Sequence, residues 1–446
     1  MTQNVIASNQ YEGLSLLYYY RRLMAYSRSR GPEIRENLNI KKPEILKWNL
    51  TNGIPVYEVI SGKNEVFKID VVHQGGRIQE PKRLVNRVTT SIMKEATKNL
   101  SSKELASKID FYGASLSTKA TMDQSSHAIY GLNKFSSELV PILSEIIHEP
   151  TFNPEDLEKY KKRNKANLNI ELRKNDVVAY REFTEDIFGS DHPYGFNSNT
   201  ELYNSVTIPE IKSHYKSNFG VNNCFIFLSG NITDKMRKSI DDLFSHRQNK
   251  IEVQPYIESV TPFPGKEKSI SLGAPSQSAI ILGKKLFPKN HSDYPLWIVL
   301  NTILGGFFGS RLMKEIREEK GLTYNISSFI DNMRFDGHFY ISCEVAHKNI
   351  KDTLESIHQE INLLKTELVQ KEELEMVKNY IAGNILNMLD GPFRSIKWVK
   401  SLILSGMDSD DGIKVIEEIK SASPESIRKL AIKYLNQEDL NTVIVS

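Results

Sequence analysis

The sequence predicts an α+β fold made of two tandem homologous domains, and three internal repetitions support this prediction. An acidic hexapeptide that opens a long helix follows an amphipathic segment twice, at Asn153–Glu158 and at Gln370–Glu375, 217 positions apart. A hydroxyl residue, a proline and an acid then start a later helix in each half, at Thr207 and at Ser423. A short apolar stretch follows each of these helices at close to the same offset, and such a stretch is typical of a strand. We therefore expect each unit to pack a mainly antiparallel sheet against long helices.

The repeat sets the predicted domain boundaries. We expect an N-terminal extension at 1–43, a first domain at 44–247, a linker at 248–268 and a second domain at 269–446. The linker is placed where three prolines and a glycine interrupt the chain and the helical periodicity is lost. The extension lies outside the repeat, and the sequence assigns it no role.

The composition excludes several classes of protein. Of the 446 residues, 39% are hydrophobic and 25% are charged, which is typical of a soluble globular chain and not of a disordered or collagen-like one. Since 58 Lys and Arg nearly balance 55 Asp and Glu, the net charge of +3 gives no reason to expect nucleic acid or a membrane as a partner. The chain has neither a membrane-spanning apolar run nor a secretory signal pattern. We expect a cytoplasmic protein, or a periplasmic one if the sequence is that of a mature form.

Metal-binding motifs are absent from the sequence. No two of the ten histidines are three or four positions apart, so none forms the one-turn pair that a helical zinc site uses. Only two cysteines exist, Cys224 and Cys343, and they are too far apart for a zinc knuckle. A cluster of five basic residues at 159–165 is flanked by acids, which favours a solvated helix face over a nucleic-acid site.

One segment of the second half has a distinctive pattern. A glycine-rich turn at 304–309 leads into a short amphipathic helix that Ser310 can cap and that Gly321 can end. The glycines do not have the spacing of a phosphate-binding loop. Arg317 then falls in the last turn of the helix and Tyr324 lies just beyond its end. Taken alone, they are a surface arginine compatible with the helix dipole and a strand tyrosine.

This segment resembles the C-terminal-half signature of the pitrilysin and insulinase class of zinc metallopeptidases. The resemblance is closest to the two-subunit branch that includes processing-type peptidases, and it extends over residues 40–446. Further family landmarks occur in family order: Gly53–Val56, Gly113–Ser117, Pro150–Phe152, Phe188–Gly195 and Leu228–Asn231. The resemblance implies that the two domains form half of a clamshell completed by a second chain. It also implies that Arg317 and Tyr324 reach across to substrate bound at the other chain's zinc.

The first half departs from the family at its zinc motif. The family's H-x-x-E-H helix provides two histidine ligands and a catalytic base, but the matching positions here are Arg87, Thr90 and Ser91. The third ligand is a glutamate on a later helix, and its position falls at about Leu168, where Asn167 and Asn169 leave the register open. We expect this chain to hold no cofactor, and we expect the zinc in a partner subunit that carries H-x-x-E-H.

The function that the resemblance implies is that of a non-catalytic subunit of a heterodimeric zinc metallopeptidase. Such a subunit is inactive alone, closes the chamber around a peptide or unfolded polypeptide, and supplies Arg317 and Tyr324 in trans. A guanidinium and a phenol suit this role because both donate hydrogen bonds to a carbonyl oxygen that gains negative charge. Two alternatives stay open: a structural scaffold subunit, and a peptide-binding clamshell homodimer without catalysis.

Overall fold

The computed structural model describes residues 40–60, 64–246, 250–251, 265–273 and 276–446. The chain divides into two compact units, residues 1–41 and 42–446. Most of the predicted extension, residues 1–39, lies outside the described residues, and so do residues 252–264 of the predicted linker. The elements below all belong to the second unit.

Eleven strands occur in the described residues. Apolar side chains alternate with polar ones where one face of the sheet is buried, and they run continuously where both faces are buried. They are β1 (Ile45–Asn49), β2 (Pro55–Ile60), β3 (Val66–Gln74), β4 (Ser115–Ala120), β5 (Gln124–Leu132), β6 (Cys224–Gly230), β7 (Glu267–Ile270), β8 (Gln277–Leu286), β9 (Ile326–Asn332), β10 (Gly337–Ala346) and β11 (Asn441–Val445). Strand β7 begins inside the predicted linker 248–268. Its polar sequence, Glu-Lys-Ser-Ile, gives little strand signal, and it is held by parallel pairing with β11.

The described helices surround these sheets. They are α1 (Val85–Ile92), α2 (Ser102–Phe111), α3 (Ser136–His148), α4 (Pro154–Glu171), α5 (Asn175–Phe188), α6 (Thr200–Ser205), α7 (Ile208–Asn218), α8 (Asp234–Phe244), α9 (Tyr294–Leu304), a π-helix (Met313–Glu319), α10 (Ile350–Thr366), α11 (Lys371–Met388), α12 (Pro392–Leu404), α13 (Ser409–Ser421) and α14 (Pro424–Tyr434). Within the described part of the chain, none is both long and apolar enough to cross a lipid bilayer.

The two sheets have the same strand order. The first is β1-β2-β6-β3-β5-β4 and the second is β7-β11-β8-β10-β9. Apart from the extra edge strand β1, each strand of one sheet has a counterpart at the same place in the other. The pairs β2–β6 and β7–β11 are parallel and all other pairs are antiparallel. The predicted α+β fold with a duplicated unit is thereby confirmed.

The helices repeat with the same offset as the sequence. Helices α4 and α11 each have 18 residues and begin 217 positions apart, at Pro154 and at Lys371. Acids in the first turn of each favour the start of a helix, because they interact with its positive end. Helices α7 and α14 both begin with a capping box, at Thr207 and at Ser423.

One helix of each half covers the sheet of the other half. Phe183 and neighbouring apolar residues of α5 pack against Ile281 of β8 and Val443 of β11, in the second sheet. In return, Trp398 of α12 belongs to the cluster that contains Phe227 of β6, in the first sheet. Helices α5 and α12 are again 217 positions apart. Each sheet is therefore covered by a helix from the other half, so the two halves exchange helices and do not only touch along an interface.

Polar contacts reinforce this exchange. Backbone N–H of Arg334 donates to Asp123 Oδ2 at 3.0 Å, and its guanidinium donates to Gln74 Oε1 at 2.8 Å. Arg334 belongs to the second half, and both acceptors belong to the first. The halves of this unit therefore have a fixed relative position, which brings residues from both into one cavity.

Candidate functional site

Helix α1 carries the degenerate zinc-motif positions, and a buried carboxylate fixes its start. Leu84, the residue before the helix, has a left-handed φ of 72°. Glu80 accepts hydrogen bonds from the backbone N–H groups of Leu84 and Asn86, both at 3.1 Å, and so caps donors that helix geometry leaves unpaired. Burial raises the pKa of Glu80 to about 7, although these hydrogen bonds favour its charged form.

Thr90, at the position of the family's catalytic base, is completely buried in a polar network. Its hydroxyl lies 2.8 Å from the Asn86 carbonyl oxygen and 2.8 Å from Ser125 Oγ. The Ser125 hydroxyl donates to Asn86 Oδ1 at 3.0 Å, and His214 Nε2 lies 3.0 Å from the same oxygen. The network satisfies buried polar groups with one another, so the place of the base is taken by a structural contact.

The two histidines beside Thr90 are neutral and have protein partners. His214 Nδ1 lies 2.9 Å from Asn218 Nδ2, so Nδ1 is the acceptor and Nε2 carries the proton. His127 Nε2 donates to the Thr90 carbonyl at 3.0 Å. Burial lowers the pKa of both imidazoles to about 4.

These residues do not fit a zinc ion. Zinc sites take three or four His, Cys, Asp or Glu ligands. Over the ranges that the structure describes, no group of three or more such side chains is placed to hold a metal. The expectation that zinc lies in a partner stays a prediction.

Two of the degenerate positions, Arg87 and Leu168, line one cavity of about 540 Å³. Tyr340 and Ser342 of β10 also line it, so both halves contribute to its walls. Ser91 instead donates a hydrogen bond to the Arg87 carbonyl at 2.7 Å. The neighbouring Asn167 also faces the cavity, so a shift of one position in the predicted register does not bring a carboxylate to this point of α4.

The cavity has charged side chains of both signs in equal number among apolar and aromatic ones. Glu171 and Asp176 line it together with Arg87 and Arg181, and Tyr180 adds a hydroxyl group. Polar and aromatic walls of this kind are able to bind both the backbone and the side chains of an extended peptide.

Tyr180 ties the cavity wall to the second sheet. Its hydroxyl donates to Asp331 Oδ2 at 2.7 Å and lies 3.1 Å from His338 Nε2. Its ring also packs edge-on against Tyr340, with ring centroids 5.2 Å apart. Burial and the nearby Asp331 carboxylate raise the pKa of Tyr180, so its hydroxyl keeps its proton and acts as a fixed donor.

Arg317 and Tyr324 lie elsewhere, on a surface segment that is held by hydrogen bonds. The π-helix ends where the Leu322 N–H donates to the Ile316 carbonyl at 2.9 Å, a return that requires the left-handed Gly321, with φ 61°. The Thr323 hydroxyl then donates to the Glu344 carbonyl at 2.7 Å and fixes the next residue against β10.

Tyr324 is exposed, whereas Arg317 is half-buried. Tyr324 is 89% exposed. The Arg317 guanidinium stacks over the Phe308 ring at 4.7 Å, and Phe308 is itself 63% exposed. Neither Arg317 nor Tyr324 lines the cavity at Arg87 and Leu168. The Arg/Tyr pair is therefore not part of the cavity at the degenerate zinc positions.

Comparison with known proteins gives a match to one family. Residues 205–381 match the family described as "Peptidase M16 inactive domain". Over this segment the chain is similar to M16 peptidases. The match includes the whole segment from Arg317 to Tyr324, and it does not extend to α1.

Individual relatives support the same assignment over nearly the whole chain. An uncharacterized zinc protease YmxG from Bacillus subtilis is 21% identical, with 90% of this chain and 98% of the relative aligned. A "non-peptidase homolog YmxG" from Helicobacter pylori is also 21% identical, with 87% of this chain and 91% of the relative aligned. The crystal structure of a peptidase M16 inactive domain from Pseudomonas fluorescens superposes with a TM-score of 0.81 at 20% identity. The superposition covers 90% of this chain and 98% of that structure. The M16 fold is thus present over residues that the family match alone does not reach.

Several residues of the cavity were not found from the sequence. Tyr180 is far along the chain from Tyr340, and the two meet only because α5 packs on the second sheet, where Asp331 of the neighbouring strand holds the Tyr180 hydroxyl. No local motif marks them. A signal that does exist is the 217-position offset between α5 and α12, which marks the two exchanged helices as equivalent.

Proposed function

We propose that this chain is the non-catalytic subunit of a heterodimeric M16 zinc metallopeptidase. In this proposal the partner carries H-x-x-E-H and the zinc, and this chain closes the chamber around a peptide or unfolded polypeptide. One observation carries the proposal: Tyr324 is exposed and Arg317 partly exposed on a hydrogen-bonded surface segment, whereas Thr90 is buried in a network unsuited to zinc.

The chemistry assigned to this chain is stabilisation of charge. In the partner, zinc would activate the water that hydrolyses the peptide bond. Arg317 and Tyr324 would donate hydrogen bonds to the substrate carbonyl oxygen, which gains negative charge as the bond is attacked. The exposure of Tyr324 and the partial exposure of Arg317 support this role, because groups that act on a neighbour's substrate must be accessible before assembly.

The hydrogen bonds of this segment also support the positioning of Arg317 and Tyr324. The Leu322–Ile316 hydrogen bond fixes the end of the π-helix, and the Thr323–Glu344 hydrogen bond fixes the segment after it. Donors held in place before the reaction stabilise charge more effectively than donors that must be ordered during it. Arg317 gains further order from stacking on Phe308.

The cavity at Arg87 and Leu168 is assigned a binding role in the same proposal. It lies where the family's zinc ligands would be, and it offers hydrogen-bonding groups from both halves. A peptide that extends from the partner's active site would find donors at Arg87 and Arg181 and acceptors at Glu171 and Asp176.

Co-purification from the native source tests the proposal. We expect a second chain carrying H-x-x-E-H, with about one zinc per heterodimer, and no stoichiometric zinc or peptidase activity in this chain purified alone. One tightly bound zinc in the isolated chain would overturn the proposal. Isolation of a stable homodimer without a zinc-binding partner would instead support the peptide-binding clamshell.

A further inference from the structure

A second cavity of about 550 Å³ lies among four helices of the second half, far along the chain from the degenerate zinc positions. Residues of α9, α11, α12 and α13 form its walls. The walls are mostly apolar, with Ile298, Ile385, Trp398, Leu402 and Ile416 among them. This volume falls within the range of small-molecule sites.

The charge of this cavity has one sign. Its lining contains two lysines, Lys289 and Lys397, and no aspartate or glutamate. Lys397 is exposed, whereas Lys289 is half-buried against the apolar wall. An apolar chamber with positive charge and no carboxylate is complementary to a ligand with an apolar body and a negative head.

Among the described residues, the Lys289 ammonium has a hydrogen-bond partner but no carboxylate partner. Its Nζ donates to Ser401 Oγ on α12 at 2.8 Å. Within the ranges that the structure describes, no carboxylate forms an ion pair with it. Burial lowers its pKa to about 8, so at neutral pH the amine is mostly charged while lacking a counter-ion. Buried charges in proteins are usually paired, and a ligand carboxylate would provide the missing partner.

We propose that this four-helix cavity binds a small aliphatic carboxylate, such as a fatty acid, whose tail packs on Trp398 and Ile416 and whose head pairs with Lys289. Of the two lysines only Lys289 is half-buried, since Lys397 is exposed, and one half-buried ammonium matches a single negative charge, which favours a carboxylate over a doubly charged phosphate. The Ser401 hydroxyl beside the amine would donate a second hydrogen bond to the same head.

Titration calorimetry on the full chain tests this with dodecanoate below its critical micelle concentration and with dodecanol as the uncharged probe. We expect dodecanoate to bind with 1:1 stoichiometry and more tightly than dodecanol. Lys289→Met is expected to weaken dodecanoate binding about tenfold or more, because a charge-assisted hydrogen bond is lost, and to leave dodecanol binding unchanged. Lys289→Arg keeps the charge and is expected to retain most of the affinity.

The matched control is Lys414→Met, on α13, where the lysine pairs with Asp411 at 3.1 Å and does not line the cavity. It is expected to bind dodecanoate as the unmodified chain does. Equal binding of dodecanoate and dodecanol, or dodecanoate affinity unaffected by Lys289→Met in a variant that melts normally, would overturn the proposal. Tighter binding of the peptide Leu-Leu-Leu than of dodecanoate would also overturn it, because the carboxylate would then belong to a peptide end.

Discussion

Lys400 on α12 donates a 2.6 Å hydrogen bond from its Nζ to Oδ2 of Asp70 on β3, across 330 positions of the chain. The Asp70 side chain is only 8% exposed, and Lys68 is its other cationic neighbour, with Nζ 3.9 Å away. The pair therefore fastens the exchanged helix α12 to the central part of the first sheet.

Replacing Lys400 with methionine is expected to lower the free energy of unfolding by about 3 kcal/mol. The apolar stem is kept, but the buried Asp70 carboxylate loses its nearest counter-ion, and an uncompensated buried charge is strongly destabilising. Adding Asp70→Asn to Lys400→Met is expected to recover part of the loss. Urea denaturation measures both, with Lys397→Met on the exposed face of α12 as the control. A loss no larger than that of the control would show that the pair contributes little.

The stability of the chain is expected to fall as the pH falls from about 6.5 to 4. Histidine in the unfolded chain titrates near 6.5, whereas His127 and His214 titrate near 4 in the native state. Between these values the unfolded chain binds more protons, so acid favours unfolding by up to about 1.4 kcal/mol per pH unit for each histidine. Above pH 6.5 the two histidines are neutral in both the folded and the unfolded chain, and the stability linked to their burial is fully present.

The variant His127→Gln isolates this effect, because the glutamine amide can donate to the Thr90 carbonyl without titrating. We expect its free energy of unfolding to depend less steeply on pH between 4 and 6.5, as measured by urea denaturation at a series of pH values. The exposed His246 provides the control, His246→Gln, whose pH dependence is expected to match that of the unmodified chain. An unchanged slope in His127→Gln would show that this imidazole is not neutral in the fold.

Glu80 is expected to act in the opposite direction. Its native pKa of about 7 exceeds the value near 4.5 in the unfolded chain, so the native state binds more protons between these values. The stability that Glu80 contributes is fully present below pH 4.5 and is lost as the pH rises through 7. This pH dependence is opposite in sign to that of the histidines and partly offsets it. Glu80→Gln should therefore make the acid loss of stability steeper between pH 4.5 and 6.5 than in the unmodified chain. Glu201→Gln, at an exposed position, should not.

The sequence predicted the order and the starts of the main elements because these depend on local chemistry. The hexapeptides that begin at Asn153 and at Gln370 form the starts of α4 and α11. The capped starts at Thr207 and Ser423 likewise precede α7 and α14. Proline, hydroxyl and acidic residues act within a single turn of helix, so their pattern alone is sufficient.

The exchange of α5 and α12 was not predictable in this way. The apolar face of α5, with Phe183 at its centre, suits either sheet, since both present similar apolar strands. Only the tertiary arrangement decides the choice. The same holds for the network around Thr90, whose members Asn86, Ser125 and His214 come from three separate elements.

Restoring the zinc motif by substitution is expected to fail because of this network. Thr90→Glu would place a carboxylate in a completely buried site beside Ser125, with no cation to balance it, and is expected to lower the free energy of unfolding by more than about 3 kcal/mol. Ser91→His, at a half-buried position, is the control and should be tolerated. We expect Arg87→His, Thr90→Glu, Ser91→His and Leu168→Glu combined to bind no stoichiometric zinc in elemental analysis. A folded quadruple variant with one tight zinc would contradict the role assigned to the network.

The Arg/Tyr pair gives the most direct test of the proposed function. In the reconstituted heterodimer, Arg317→Ala or Tyr324→Phe is expected to lower kcat by about 100-fold or more, because each removes one donor to the developing negative charge. Zinc content and KM are expected to change little, since neither residue holds metal or most of the peptide. Arg428→Ala and Tyr130→Phe, elsewhere on the surface, control for loss of a guanidinium or a phenol hydroxyl. If all four variants turn over substrate equally well, this chain acts as a scaffold and the pair takes no part in the reaction.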